Sequence, residues 1–182
     1  MGGSGVVGLW GASSLVKSIQ RGTISTTSTM GSATISAVDV NNSFVRYGAL
    51  TQTQANNNWA VGLGGIYLDT STTVSITLGA NGGTAVFAFE VVEFLPGVIK
   101  SVQRGSMVLT GAVTSGTSTI TSVNTAKATL ASLGWAINAP GAPNTDEATK
   151  LVLTDATTVT ANRISGTGTY TTYNRWEVVE FF

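Results

Sequence analysis

Apolar residues fall along this chain in short runs of strand length, rich in Val, Ile and Thr and broken by clusters of Gly, Asn and Ser. That spacing predicts β-strands, and no stretch of helical length keeps a 3.6-residue period. In the first half the pattern predicts strands over 15–20, 22–26, 33–38, 43–50, 59–61, 65–68, 73–78 and 84–94, with Ala80-Asn81-Gly82-Gly83 as a turn before the last. The closing run carries Phe89, Val91, Val92 and Phe94, apolar on both faces. A strand in the middle of a sheet, covered from two sides, has that character.

The chain says the same thing twice. Val16-Lys17-Ser18-Ile19-Gln20-Arg21-Gly22 returns as Ile99-Lys100-Ser101-Val102-Gln103-Arg104-Gly105. Ala33-Thr34-Ile35-Ser36-Ala37-Val38 returns as Ser118-Thr119-Ile120-Thr121-Ser122-Val123, and the stretch from Leu68 to Val74 returns from Leu153 to Val159, both 85 residues on. Phe89-Glu90-Val91-Val92-Glu93-Phe94 closes the first copy and Trp176-Glu177-Val178-Val179-Glu180-Phe181 the second. Matched blocks in one order predict a duplication. Leu95-Pro96-Gly97 is a poor strand continuation and a good turn, so the boundary falls there. The expected organisation is a Gly-rich arm over 1–14, a first β-domain over 15–95 and a second over 98–182. Short strands with regular turn signals make each domain an antiparallel β-sandwich or small barrel, and the whole chain all-β.

Composition narrows the function. Only 10% of the 182 residues are charged, well under half the ~25% typical of soluble domains. Nine basic and nine acidic residues balance to zero net charge, so no summed field gathers nucleic acid or an anionic membrane. A surface so bare of charge is expected to be covered by other protein surfaces, a homo-oligomer among them. The opening residues predict neither a signal peptide nor a membrane span.

The chain has no Cys and no His, which removes disulfides, thiolate nucleophiles, imidazole bases and the usual zinc ligands. Asp69, Asp155, Asp146 and Glu147 lack the Asp-x-Asp-x-Asp spacing of a calcium loop. No metal or other cofactor is expected, and no catalytic residue. Glu90 with Glu93, and Glu177 with Glu180, are the candidate carboxylate pairs. Three residues apart on a strand they face opposite ways, which does not suit convergence on one substrate. Lys17, Arg21, Lys100 and Arg104 recur in step with them, so the expected role is ion pairing within each domain, first strand to last. Candidate interface residues are Leu9 and Trp10 in the arm, and Met107, Leu109 and Trp135, where the second copy is more apolar than the first. Trp59 beside Asn56-Asn57-Asn58 keeps a glycan-binding loop in view.

The repeated phrases, Lys-Ser-Ile/Val-Gln-Arg-Gly at the start of each copy, Ile-x-x-Val within it and aromatic-Glu-Val-Val-Glu-Phe at its close, resemble virion structural proteins of tailed bacteriophages over 15–182. The resemblance implies a non-enzymatic part of the virion. It implies most directly a capsid decoration protein on the head, partnered by the major capsid protein, with a trimer as the symmetry expected from how such particles are built. The alternative it implies is a tail-fibre component. The closing aromatic strand also looks like that of small trimeric lectin sandwiches, which would make the chain a receptor-binding module for a host glycan.

Overall fold

The computed structural model describes residues 15–54, 64–79, 83–138, 148–164 and 170–182. The architecture is all-β: no helix occurs among the described residues. The first half holds β1 (Val16–Thr26), β2 (Met30–Thr34), β3 (Ser43–Gln54), β4 (Gly64–Thr70), β5 (Thr73–Leu78) and β6 (Gly83–Phe94). The second holds β7 (Ile99–Thr110), β8 (Ser115–Thr119), β9 (Ala128–Asn138), β10 (Thr149–Asp155), β11 (Thr158–Arg163) and β12 (Thr171–Phe181).

The pairing is the same in both halves. One sheet is β1-β6-β3 in the first half and β7-β12-β9 in the second, the closing strand central in each; the facing sheet is β2-β5-β4 and β8-β11-β10. All described ladders are antiparallel. Each half is a sandwich filled by alternate residues. Ile24, Val45, Ile66, Val74, Ile76, Phe87, Phe89 and Val91 fill the first core; Met107, Leu109, Val159, Ala161, Trp176 and Val178 fill the second. On the pleated surface Phe89 lies opposite Gly22 and Trp176 opposite Gly105. A Cβ at Gly22 would come within 2.7 Å of the Phe89 ring, and one at Gly105 would collide with the Trp176 ring. The large ring and the missing side chain are one packing unit.

Several expected boundaries change: β3 runs on to Gln54 and β4 to Thr70, and two changes have a clear cause. The runs 15–20 and 22–26 form one strand, since Arg21 between them continues the ladder opposite Glu90. The run 33–38 ends its ladder at Thr34. Beyond it, Ile35 and Val38 donate their amides to the turn carbonyls of Thr72 and Ser71, both at 2.9 Å, so their apolar side chains turn inward without a strand. The expected strand at 59–61 lies outside the described residues.

Candidate functional site: the junction between the two halves

Among the described residues the halves share a sheet seam and a charged contact, and Leu133 of β9 packs into the first core. The facing sheet of the first half runs on into the closing-strand sheet of the second, giving a six-stranded order β2-β5-β4-β9-β12-β7 with one bridge, Gly65 to Gly134, at the seam. Gly134 has φ +98°, and a Cβ there would fall on the Gly64 carbonyl oxygen; only glycine allows the two backbones this close. Beside the seam, Arg175 of β12 stacks over the Tyr67 ring of β4 at 4.0 Å.

The second connection uses charge. In an extended strand the carbonyl of one residue and the amide two residues on point to the same side. On the unpaired side of β3 these are the Ser43 C=O and the Val45 N–H. Val45 N–H donates to Glu177 Oε2 at 3.1 Å, and Arg104 Nη2 donates to Ser43 O at 2.6 Å. Glu177 and Arg104 stand opposite each other on β12 and β7, with Arg104 Nε 2.6 Å from Glu177 Oε1 in an ion contact bent off the hydrogen-bond line. The pair presents one acceptor and one donor to the strand, as a neighbouring strand would. Glu177 is fully buried. Burial pushes its carboxyl up to about 7, although Arg104 and the Val45 amide pull the other way. A groove of about 540 Å³ runs beside the pair, walled by Phe44, Tyr47, Leu133, Val179 and Phe181. Phe94 packs against Phe44 at 5.7 Å and Phe181 at 6.3 Å between ring centres, where the two closing strands end.

The other charged candidates assemble inside each half. Glu93 accepts from Lys17 Nζ at 2.8 Å, Ser18 Oγ at 3.1 Å and the Asp39 amide at 2.9 Å. Glu180 accepts from Lys100 Nζ at 2.9 Å, Ser101 Oγ at 3.3 Å and the Asn124 amide at 2.8 Å. Burial acts to raise Glu93, but the Asp39 amide, Lys17 and Ser18 together hold it below its ordinary value. The Asn124 amide, followed by Lys100, does the same for Glu180. Gln20 and Gln103 each grip the same loop from the other side: the Gln20 amide side chain exchanges two hydrogen bonds with the Ser36 backbone, and that of Gln103 with the Thr121 backbone. These contacts hold an irregular segment against the start of the first strand in both halves.

Glu90, the counterpart of Glu177, lies at the surface. Arg21 Nε meets its Oε1 at 2.6 Å and Arg46 Nη1 its Oε2 at 3.1 Å. Arg46 thus holds on Glu90 the place that the Val45 amide holds on Glu177. In β9 the position matching Arg46, opposite Glu177, is Ala131.

Among the interface candidates, Met107 and Leu109 are corrected: they lie in the second core, 6% and 1% exposed. They alternate inward along β7, over the space left by Gly116 of β8, while Val108 between them faces out. Trp135 is half-buried and packs with Ile137 and Tyr170. Leu9, Trp10, Trp59, Asp146 and Glu147 lie outside the described residues. Asp69 accepts the Ser75 hydroxyl at 3.1 Å and Asp155 the Thr157 amide at 2.7 Å, each serving its own turn. The expected ion pairs do form within each half, first strand to last, Arg104 with Glu177 included, and Arg104 and Glu177 in addition bind the β3 backbone across the junction.

Sequence reasoning missed Ser43, Val45, Arg46 and Arg175. Arg46 has no partner in the repeat, and backbone groups carry no sequence signal. Gln20 and Gln103 were legible inside the repeated opening phrase. Compared with known protein families, with curated proteins and with solved structures, the chain finds no match.

Proposed function

We propose that the chain is a non-enzymatic structural protein that works by assembling with other protein surfaces, and that it arose by duplication of one β-sandwich. The observation that carries this is how its charges are used. The repeated Lys, Arg and Glu residues lock strands, a loop and the two halves together, with the most buried pair spent on docking one half's strand edge onto the other's sheet. Outside that framework the strands and the segments beside them expose large apolar side chains, Met30 and Val108 on strands and Val113 and Ile164 just beyond strand ends, on a chain with 10% charged residues. Such surfaces suit permanent covering better than free solution.

The finer reading is an exterior virion protein of a tailed bacteriophage, decorating the head by binding the major capsid protein. It is supported by the resemblance of the repeated phrases and by the doubled sandwich. The test is to mix purified protein with DNA-free heads of the phage that encodes it and image the product by cryo-electron microscopy. Regular density over the shell is the expected outcome. Density confined to tails, or no particle binding together with retention on a glycan array, would replace decoration by receptor binding.

A further inference from the structure

The junction inside the chain uses one surface from each half, and each half also carries the counterpart of the surface it does not use. The first half contributes a strand edge, Ser43 C=O and Val45 N–H of β3; the second contributes a receiving face, Arg104 and Glu177. The matching edge in the second half is the Ala128 C=O and Leu130 N–H of β9. Ala128 and Leu130 stand opposite Glu180 and Val178, as Ser43 and Val45 stand opposite Glu93 and Val91. The shared register turns these two groups to the side of β9 away from β12. The matching face in the first half is Arg21 and Glu90, directly opposite each other across β1 and β6 as Arg104 and Glu177 are across β7 and β12.

Exposure marks that face as the open version of a covered one. Arg21 is 66% exposed where Arg104 is 22%, and Glu90 26% where Glu177 is 0%. Ile19, on the same side of β1 as Arg21, is 44% exposed, whereas its counterpart Val102 is partly covered. Arg46, whose side chain is 64% exposed, reaches over Glu90 on this face. A surface ion pair of this kind contributes little and is readily displaced.

We propose that the protein associates head to tail with further copies of itself, the β9 edge of one copy docking on the Arg21–Glu90 face of the next. Glu90 accepts the Leu130 amide of the incoming copy, Arg21 donates to its Ala128 carbonyl, and Arg46 swings off Glu90 to admit the strand. The partner is a second copy because the chain already contains the complementary pair of surfaces, docked once. Among the described residues the only strand bridge on that side of β9 is Gly65 to Gly134, clear of Ala128 and Leu130, so each copy offers one edge and one face, and the contact is heterologous and continues into a ring or a filament rather than stopping at a two-fold dimer. The inference rests on the reading of the chain as an assembling protein and names the self-contact through which it assembles.

The test is sedimentation of the purified full chain over a concentration series, with melting curves as the check on folding. The sharpest variant is the double exchange Arg21→Glu with Glu90→Arg, which keeps an ion pair within the chain but reverses donor and acceptor toward the incoming strand. The expected results are wild-type species growing beyond the dimer with concentration, and an exchange variant that melts like the wild type while its dissociation constant rises at least about thirtyfold. Arg46→Ala, which removes the competing donor, should tighten association about 1.5- to 5-fold. Assembly that stops at a dimer, or that the double exchange leaves unchanged, overturns the proposal. So does a wild type and an Arg46→Ala variant that both remain monomeric at the highest concentration at which they dissolve. The broader reading is decided separately, by whether monomers bind the phage heads.

Discussion

Glu90 and Glu177 sit in the same repeated phrase, on equivalent strands β6 and β12 of equivalent sheets, facing an arginine in the same register, yet one lies at the surface and the other is sealed. The difference comes from what lies over them. Glu177 is covered by the β3 edge of the other half and accepts its backbone amide, whereas Glu90, 26% exposed, accepts in that place from the Arg46 side chain. One motif therefore serves as a surface ion pair in one place and as a substitute for a neighbouring strand in the other. The inner pair, Glu93 and Glu180, shows no such split, because each faces a loop of its own half with the same three donors.

The largest effect expected from breaking the comparison is that of Glu177→Ala. It leaves the Val45 amide without an acceptor and the Arg104 guanidinium with the Ser43 carbonyl but no counter-charge, and a loss of about 3–5 kcal/mol is expected in urea unfolding. Glu90→Ala, read the same way, is expected to lose no more than about 1 kcal/mol. Equal losses would show that the junction does not distinguish the two.

Acidity sharpens the same contrast. Glu177 titrates at about 7 in the folded chain against an ordinary 4.5, so the unfolded chain loses its proton first. Its contribution to stability is complete below pH 4.5 and lost as pH rises to 7, an amount of up to about 3 kcal/mol. Glu93, Glu180, Asp39 and Asp155 are shifted down. Their contribution is present above their ordinary values and lost as pH falls through the lowered ones. Stability should therefore rise from pH 8 toward pH 5 and fall below about pH 4. Thermal melts across this range check the curve, and Glu177→Gln should flatten the limb above pH 5 while leaving the acid limb.

Gly134→Ala tests the other connection. With φ at +98° and the Gly64 carbonyl in the way, a loss of about 1–3 kcal/mol is expected by denaturant titration. Gly97, also at positive φ but with nothing around it, should lose less. Smaller again, and equal to each other, should be the drops in melting temperature for Glu93→Gln and Glu180→Gln. A clear inequality would mean that the two inner clusters are not the matched devices their geometry describes.

Much of the framework was legible before any coordinates. The alternation of apolar residues gave the strands, and the recurrence of Lys17, Arg21, Glu90 and Glu93 in the second copy drew attention to the residues that pair. The central place of β6 and β12 followed from Phe89, Val91, Val92 and Phe94 and their counterparts. The gap expected at Arg21 does not exist, because the partner that continues its ladder, Glu90, lies far along the chain. Ile35 and Val38 misled because inward side chains need no ladder when turn carbonyls take their amides. Met107 and Leu109 read as exposed against the more polar Ile24 and Thr26, although Ile24 is itself buried and the alternation was the better guide.

By itself the sequence determined an all-β chain, the strand segments and the charged residues that hold them, because alternation and side-chain chemistry are local and written residue by residue. Only the tertiary structure decided which copy of the Arg–Glu pair is buried, that its partner is the backbone of β3, and that the two halves share a sheet through Gly65 and Gly134. Burial depends on everything that packs over a group. A backbone amide at a strand edge has the same chemistry at every residue, so nothing in the sequence marks the one that Glu177 accepts.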